Sequence, residues 1–305
     1  MDFLDLRSRS WETGTGRRKR RQFWWKAFDP GQNDMDDGKN ISSQAGKRDA
    51  AEEACANFMY RYAFGIIGDE PTAGYEGGGI GTGVGLYWKG NYLILTAAHV
   101  VKDTPVERLY FLLPSESLVI IRSSVRREAE PAVAHQRLRL AVPPRVIYAE
   151  MLDLAILVLP TQEKNEGQNH FYRLDETSSL PADLKAAAFL GYPAAAKVPV
   201  ARNFMATPSY SDGAIVDLPF GYSKDKQIAI SYPSSETRDP HGFSGAGLWI
   251  TAASPAQGIW APSMAMIGIL TCWTRNSEKL IGYRIETIIE FLKSVDANIC
   301  ARSSG

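Results

Sequence analysis

Cysteine is scarce in this chain: Cys55, Cys272 and Cys300 are all there are in 305 residues. An odd number at wide spacing excludes a disulfide-stapled framework, and without a CxxC pair there is no zinc or redox motif. That usage points to a reducing compartment. Cys272 follows an apolar run, which predicts a buried thiol rather than a nucleophile. Long apolar stretches are missing too. No run approaches the roughly 18 residues of a membrane span, and the N-terminal MDFLDLRSRSWETGTGRRKRR lacks the apolar core of a secretory signal. The expected location is the cytoplasm. Nor is there an excess of one charge, since Lys plus Arg equals Asp plus Glu at 34 each. With no bulk field to draw it to nucleic acid or an anionic membrane, the chain must read any charged partner through a local patch. Without a clustered ligand set, no metal or cofactor is expected.

What is present fits a folded, turn-rich protein: 45% hydrophobic residues against 22% charged ones argue against wholesale disorder. Residues 1–50 are the exception, too polar to offset the entropy of ordering, and read as a flexible tail. Within the tail, Arg17-Arg18-Lys19-Arg20-Arg21 runs into Phe23-Trp24-Trp25-Lys26. Charge joined to aromatic rings can bind nucleic acid, lie on an anionic surface or dock a regulatory protein; a plain solvated arm is the other reading.

From Ala51 to about Tyr62, apolar residues at spacing four predict a short helix. Beyond it, short apolar runs alternate with Gly-, Pro- or charge-rich breaks: Phe64–Ile67, Val84–Trp88, Tyr92–Thr96, Tyr110–Leu113, Leu118–Ile121, Arg145–Tyr148 and Leu154–Leu159. The second half repeats this texture from Ala187–Leu190 to Leu280–Arg284. Two β units follow, at 51–160 and 180–284, joined by a polar linker at 161–179. Ile285, Ile288, Ile289 and Leu292 share one helical face and predict a C-terminal helix within 285–297.

Three segments carry chemistry. GTGVGLYWKGNYLILTAAHV (81–100) reads as a hairpin turning at Lys89-Gly90-Asn91, whose second strand delivers His99 among small alanines. A core histidine is the competing reading of that residue alone. MLDLAILVLP (151–160) puts Asp153 at the start of an apolar strand, where a solvated cap is the plain alternative and an imidazole N–H the more telling partner. DPHGFSGAGLWI (239–250) sets Ser244 between glycines that let successive N–H groups face one concavity.

Taken in order, TAAHV, DLAIL and GFSGAGL resemble the signature blocks of the trypsin-like serine peptidases, over about residues 60–290. The order His, Asp, Ser distinguishes the chain from subtilisin-like enzymes and α/β-hydrolases. Leu190-Gly191-Tyr192-Pro193 further resembles the start of the second barrel in bacterial members. The resemblance implies an all-β fold of two six-stranded antiparallel barrels with the active site between them. His99 and Asp153 come from the first barrel, Ser244 from the second, and the N–H groups of Gly242 and Ser244 form the oxyanion hole. By offset from Ser244 it places Arg238 at the pocket floor, where it would select acidic side chains. Thr271 and Trp273 fall in the substrate-pairing strand, with Trp273 narrowing the pocket. His135 and His170 read as exposed bystanders, and His241 as a loop residue or cleft lining.

The departures matter as much. Secreted members often hold an Asp just before the nucleophile, to receive a new N-terminus after activation cleavage; this chain has Phe243. Ile66-Ile67-Gly68-Asp69 resembles the terminus that would insert, but Gly65 precedes it and the receiving Asp is missing. The oxyanion loop is therefore expected to be preformed, or ordered by a partner or substrate. Three functions stay open on these residues: an active endopeptidase on protein or peptide substrates, a catalytically silent binding or regulatory module, and a partner-gated effector recruited through residues 17–26.

Overall fold

The computed structural model describes residues 40–68, 80–112, 137–138, 144–159, 168–181, 183–193, 197–200, 203–206, 208–233, 239–252 and 263–300. The basic aromatic run, the expected strand Leu118–Ile121, His135 and Arg238 lie outside them.

Helix α1 spans Asn40–Tyr60, so the helix expected at 51–62 begins inside the segment read as tail. The first β unit follows with β1 (Ala63–Gly68), β2 (Ile80–Trp88) and β3 (Asn91–Ala97), then the short helix α2 (Ala98–Val101). Lys89 and Gly90 close the β2–β3 hairpin with φ of 44° and 87°. Two successive positive φ values match the twist of the paired strands, which is why the turn falls at the Lys-Gly pair. Strands β4 (Leu109–Leu112), β5 (Arg137–Leu138), β6 (Arg145–Ala149) and β7 (Leu154–Val158) follow, and β8 (Tyr172–Arg173) pairs in parallel with β2. Part of the segment read as a crossover linker thus belongs to the first sheet.

The second unit contains β9 (Ala186–Gly191), the separate hairpin of β10 (Lys197–Val200) and β11 (Asn203–Ala206), β12 (Ser209–Val216), β13 (Gln227–Ser231), β14 (Gly247–Ala252), β15 (Ser263–Thr274) and β16 (Lys279–Arg284). Helices α3 (Ile285–Ser294) and α4 (Asp296–Cys300) end the described chain. Ile285, Ile288, Ile289 and Leu292 are all buried, as their spacing requires.

Closure is found in the second unit alone among the described residues. Six strands, in the order β12-β13-β16-β15-β14-β9, form a closed barrel. The first unit is an eight-stranded sheet, ordered β5-β4-β1-β2-β3-β7-β6 with β8 added on β2. Of the expected pair of six-stranded barrels, one is present as a closed barrel, and the described strands of the first unit form one larger sheet in which the end strands β5 and β6 are not paired to each other. Each unit has its own core, built around Phe64, Ile94 and Phe111 in the first and around Phe189, Ile230 and Leu248 in the second.

Helix α1 and the turn that follows it tie the two units together. Tyr62 stacks on Trp249 of β14 at 5.8 Å and meets Tyr172 of β8 edge-on at 5.6 Å, while Phe58 and Tyr172 each meet Trp249 edge-on at 5.9 and 5.0 Å. The Gly85 N–H donates to the Tyr62 carbonyl. Such ring pairs contribute about 0.5–1.5 kcal/mol each beyond their buried area. At the opposite end, Asp296 of α4 accepts from Trp88 Nε1 at 3.3 Å and Lys89 Nζ at 2.8 Å, pinning the hairpin turn.

Trp249 is buried to 2% exposure at the centre of this cluster. Trp249→Ala is expected to lower equilibrium stability in guanidinium unfolding by about 3–5 kcal/mol; a loss below about 1 kcal/mol would remove the clamp from this account.

Candidate active site

Strand β3 ends at Ala97 and the chain turns at once into α2, which puts His99 at the rim of the first sheet. Three bonds fasten this turn to Asp153, two of them from His99 itself. The Ala98 N–H donates to the Asp153 carbonyl at 2.9 Å, the His99 N–H to Asp153 Oδ1 at 3.0 Å, and His99 Nδ1 lies 2.7 Å from Asp153 Oδ2. A carboxylate only accepts, so Nδ1 carries a proton, and in the neutral tautomer that this selects the lone pair lies on Nε2. Asp153 adopts a left-handed φ of 48° just before β7. Asp is among the residues that best tolerate that conformation, and here both carboxylate oxygens and the carbonyl are engaged at once. The two side chains remain about half exposed, at 50% and 42%, so the pair opens to solvent.

Ser244 arrives from the other unit, on the loop between residues 239 and β14. Phe243, one residue before it, is buried in the barrel core, 5.1 Å from the Phe189 ring and 6.3 Å from Tyr232. Around that anchor the backbone is closely tied. Phe243 N–H donates to Pro240 O at 3.0 Å, Ala246 N–H to Phe243 O at 2.9 Å and Gly245 N–H to Leu270 O at 2.7 Å. The N–H groups of Gly242 and Ser244 donate to no described group. Gly242 has φ 97° and Gly245 φ 89°. A Cβ on Gly245 would lie 1.7 Å from the Thr82 carbonyl oxygen, so only glycine fits there.

Thr82 of β2 joins this loop to the first sheet. Its N–H donates to the Ser244 carbonyl at 2.9 Å, its hydroxyl donates to Gly242 O at 2.7 Å, and Tyr192 N–H donates to that hydroxyl at 2.9 Å. Thr96 Oγ1, three residues before His99, donates to the Thr82 carbonyl at 2.7 Å. Both threonines are fully buried. Sequence reasoning missed Thr82. It lay in a glycine-flanked GTG, but nothing in one chain's sequence says that a strand hydroxyl reaches a loop 160 residues away.

The Ser244 hydroxyl donates to Thr271 O at 3.4 Å and makes no hydrogen bond with His99 in this structure. Thr271 thus stands beside the serine. Trp273 is half-buried farther along β15, with His241 edge-on at 6.2 Å and the Arg275 guanidinium over its ring at 5.8 Å. Its Nε1 is buried with no partner among the described residues. His241 is exposed, and its backbone N–H donates to Asp239 Oδ1 at 3.1 Å while its ring also bonds that carboxylate. Burial works to raise the Asp239 carboxyl, but the two hydrogen bonds from His241 and the charges of His241 and Arg275 outweigh it and hold it below its ordinary value. Burial pushes the Tyr283 phenol up, and the nearby Asp153 charge adds to it.

Two expectations need correction. Cys272 is exposed, not buried. The register of β15 against β16 shifts between Leu270 and Cys272, so the inward–outward alternation breaks there and the thiol turns out toward the Tyr222 hydroxyl at 3.9 Å. His170 is partly buried rather than exposed, with Nδ1 3.0 Å from the Arg61 carbonyl.

With this geometry in view, three comparisons bear on the chain. The sequence pattern of a family described as the trypsin-like peptidase domain matches residues 81–253, a span that holds His99, Asp153 and Ser244. No curated protein sequence matches. Among solved structures, the scabies mite inactivated protease paralogue S-I1 is similar at 14% identity and TM-score 0.50, over 79% of this chain and 96% of that one. The mite paralogue S-D1, also an inactivated protease, aligns at 14% identity and TM-score 0.48, over 78% and 93%. At that identity the S-I1 likeness speaks to fold alone.

Two outcomes follow from the site's construction. Gly245→Ala is expected either to abolish folding of the loop or to cost upward of about 2 kcal/mol, read by thermal unfolding and by loss of serine reactivity. In the native protein at pH 8, maleimide should modify Cys272 within minutes and leave Cys55 untouched until denaturant is added. Burial first, and the Glu52 charge second, push the Cys55 thiol up to about 11, which leaves roughly one molecule in a thousand as thiolate. Equal labelling of the two by mass spectrometry would contradict this placement.

Proposed function

The chain belongs to the family of the trypsin-like peptidase domain, and from that premise we propose that it is a serine endopeptidase with His99, Asp153 and Ser244 as its triad. The observation that carries the reading is the double attachment of His99 to Asp153, through both the ring and the backbone N–H. A histidine held only for packing has no need of a carboxylate that fixes its tautomer and leaves Nε2 bare and reachable.

The chemistry follows from those positions. A serine hydroxyl is a weak nucleophile at neutral pH, so Nε2 takes its proton as Oγ attacks the scissile carbonyl, and returns it to the leaving amine. Asp153 stabilises the imidazolium without itself becoming protonated. Oxygen charge developing on the substrate carbonyl is met by the N–H groups of Gly242 and Ser244, and losing one such donor typically costs about 2.7–4 kcal/mol in the transition state. Water then hydrolyses the acyl-enzyme by the same relay in reverse. For this to begin, Ser244 Oγ must leave the Thr271 carbonyl for His99, a tightening that substrate binding commonly brings about. Thr271 and Trp273 would flank the bound peptide, and Arg238 would select acidic side chains at the pocket floor.

One observation favours a second reading. Because Ser244 Oγ is bonded to Thr271 and not to His99, a silent module that binds peptides without cutting them fits the same cleft. Recruitment through residues 17–26, by a regulatory protein, nucleic acid or an anionic surface, is compatible with either. Sparse cysteine supports a reducing compartment such as the cytoplasm.

Labelling with a fluorophosphonate probe decides between them. The native protein should label, Ser244→Ala and His99→Ala should fall below detection, and Asp153→Asn should react about 10⁴-fold more slowly. Equal labelling of native protein and Ser244→Ala would sink the triad; no labelling of folded native protein would favour the silent module.

A further inference from the structure

On the loop that carries Ser244, Phe243 occupies the place before the serine, with its ring sealed in the barrel core. Ring burial fixes where the loop sits but not how its peptides are turned. Gly242, with φ 97°, has no side chain to resist rotation. What holds the peptide between Gly242 and Phe243 is a pair of hydrogen bonds, one at each end. Pro240 O accepts from its N–H, and its carbonyl accepts from the Thr82 hydroxyl.

We propose that Thr82 is a positioning residue for the oxyanion loop, its hydroxyl bridging Gly242 O and Tyr192 N–H so that the loop is set for catalysis without an activation event. The inference rests on the serine peptidase reading above, and it names what replaces the charge pair that the sequence lacks.

The hydroxyl has one proton to give and lone pairs to offer, and both capacities are used, on Gly242 O and from Tyr192 N–H. Its backbone works in parallel. The Thr82 N–H holds Ser244 O and its carbonyl receives Thr96 Oγ1, so the loop is keyed to the strand that ends at Ala97, two residues before His99. Thr82 therefore acts on the reacting groups only through others. Valine at this site would preserve shape but leave a buried carbonyl and a buried N–H unpaired, whereas serine would preserve both bonds and lose only a methyl group. The two substitutions separate hydroxyl from packing.

The test compares the full chain with Thr82→Val and Thr82→Ser in two measurements. In the first, fluorophosphonate labelling is followed to saturation, giving a maximal rate and a half-saturating probe concentration. Thr82→Val is expected to lower the maximal rate by about tenfold or more, short of the full effect of losing an oxyanion donor, with half-saturation changed less than about threefold. Thr82→Ser should stay within about threefold of wild type in both. In the second, hydrogen exchange across residues 239–247 should accelerate in Thr82→Val and not in Thr82→Ser. Wild-type rates in Thr82→Val, or a Thr82→Ser protein that loses as much as Thr82→Val, would overturn the proposal. If Thr82→Val does not fold, Thr82→Ser alone decides, since retained rates support the hydroxyl and lost rates refute it. A wild-type protein that never labels sinks the peptidase reading, and the exchange measurement still judges Thr82 by itself.

Discussion

Two buried threonines, Thr82 and Thr96, carry the junction on which the site depends. His99 and Ser244 come from different sheets, and the proposed reaction between them would tolerate misplacement of less than about an ångström. Thr96 donates to Thr82, and Thr82 holds both Gly242 and Ser244, so the strand leading to His99 and the loop bearing Ser244 share one hydrogen-bonded seam. Each bond is worth only about 1 kcal/mol net, but each buried group left unpaired would cost about 1–3 kcal/mol. The seam is therefore far more expensive to break than its gross strength suggests, and specificity of alignment comes from that asymmetry.

Apolar packing does the rest of the positioning. Phe243 anchors the serine loop from within the barrel, where burial of a side chain of that size contributes about 1.5–3 kcal/mol. Trp249, Tyr62 and Tyr172 brace the two units from behind, and α3 covers the barrel with its isoleucine face. A chain with so few cysteines has no covalent staple to set this arrangement, so rings and buried hydroxyls carry it. Phe243 gives that loop a hydrophobic anchor in the position just before Ser244.

Much of this could be read from residues alone. The Lys89-Gly90 turn, the strand ends at His99 and Asp153, and the stripe of Ile285, Ile288, Ile289 and Leu292 are local patterns, decided by dihedral preference and by periods of two and 3.6. Cys272 is exposed because a bulge, invisible to periodicity, reverses the facing of one strand end. The short β8 was read as linker because two residues carry too little pattern to register, and its parallel partner β2 lies far off in sequence.

The sequence by itself determined the chemistry on offer: an imidazole, a carboxylate and a hydroxyl in a diagnostic order, on β-rich halves, with Phe243 where a charge is common. Those are properties of residue type and spacing, which no fold can alter. Only the tertiary structure decided that His99 is bonded twice to Asp153, that Ser244 rests on Thr271, and that Thr82 holds the loop. These are contacts between residues far apart in the chain, made by closure of one barrel against another sheet, and hydrogen-bond geometry at that range leaves no trace in a linear pattern.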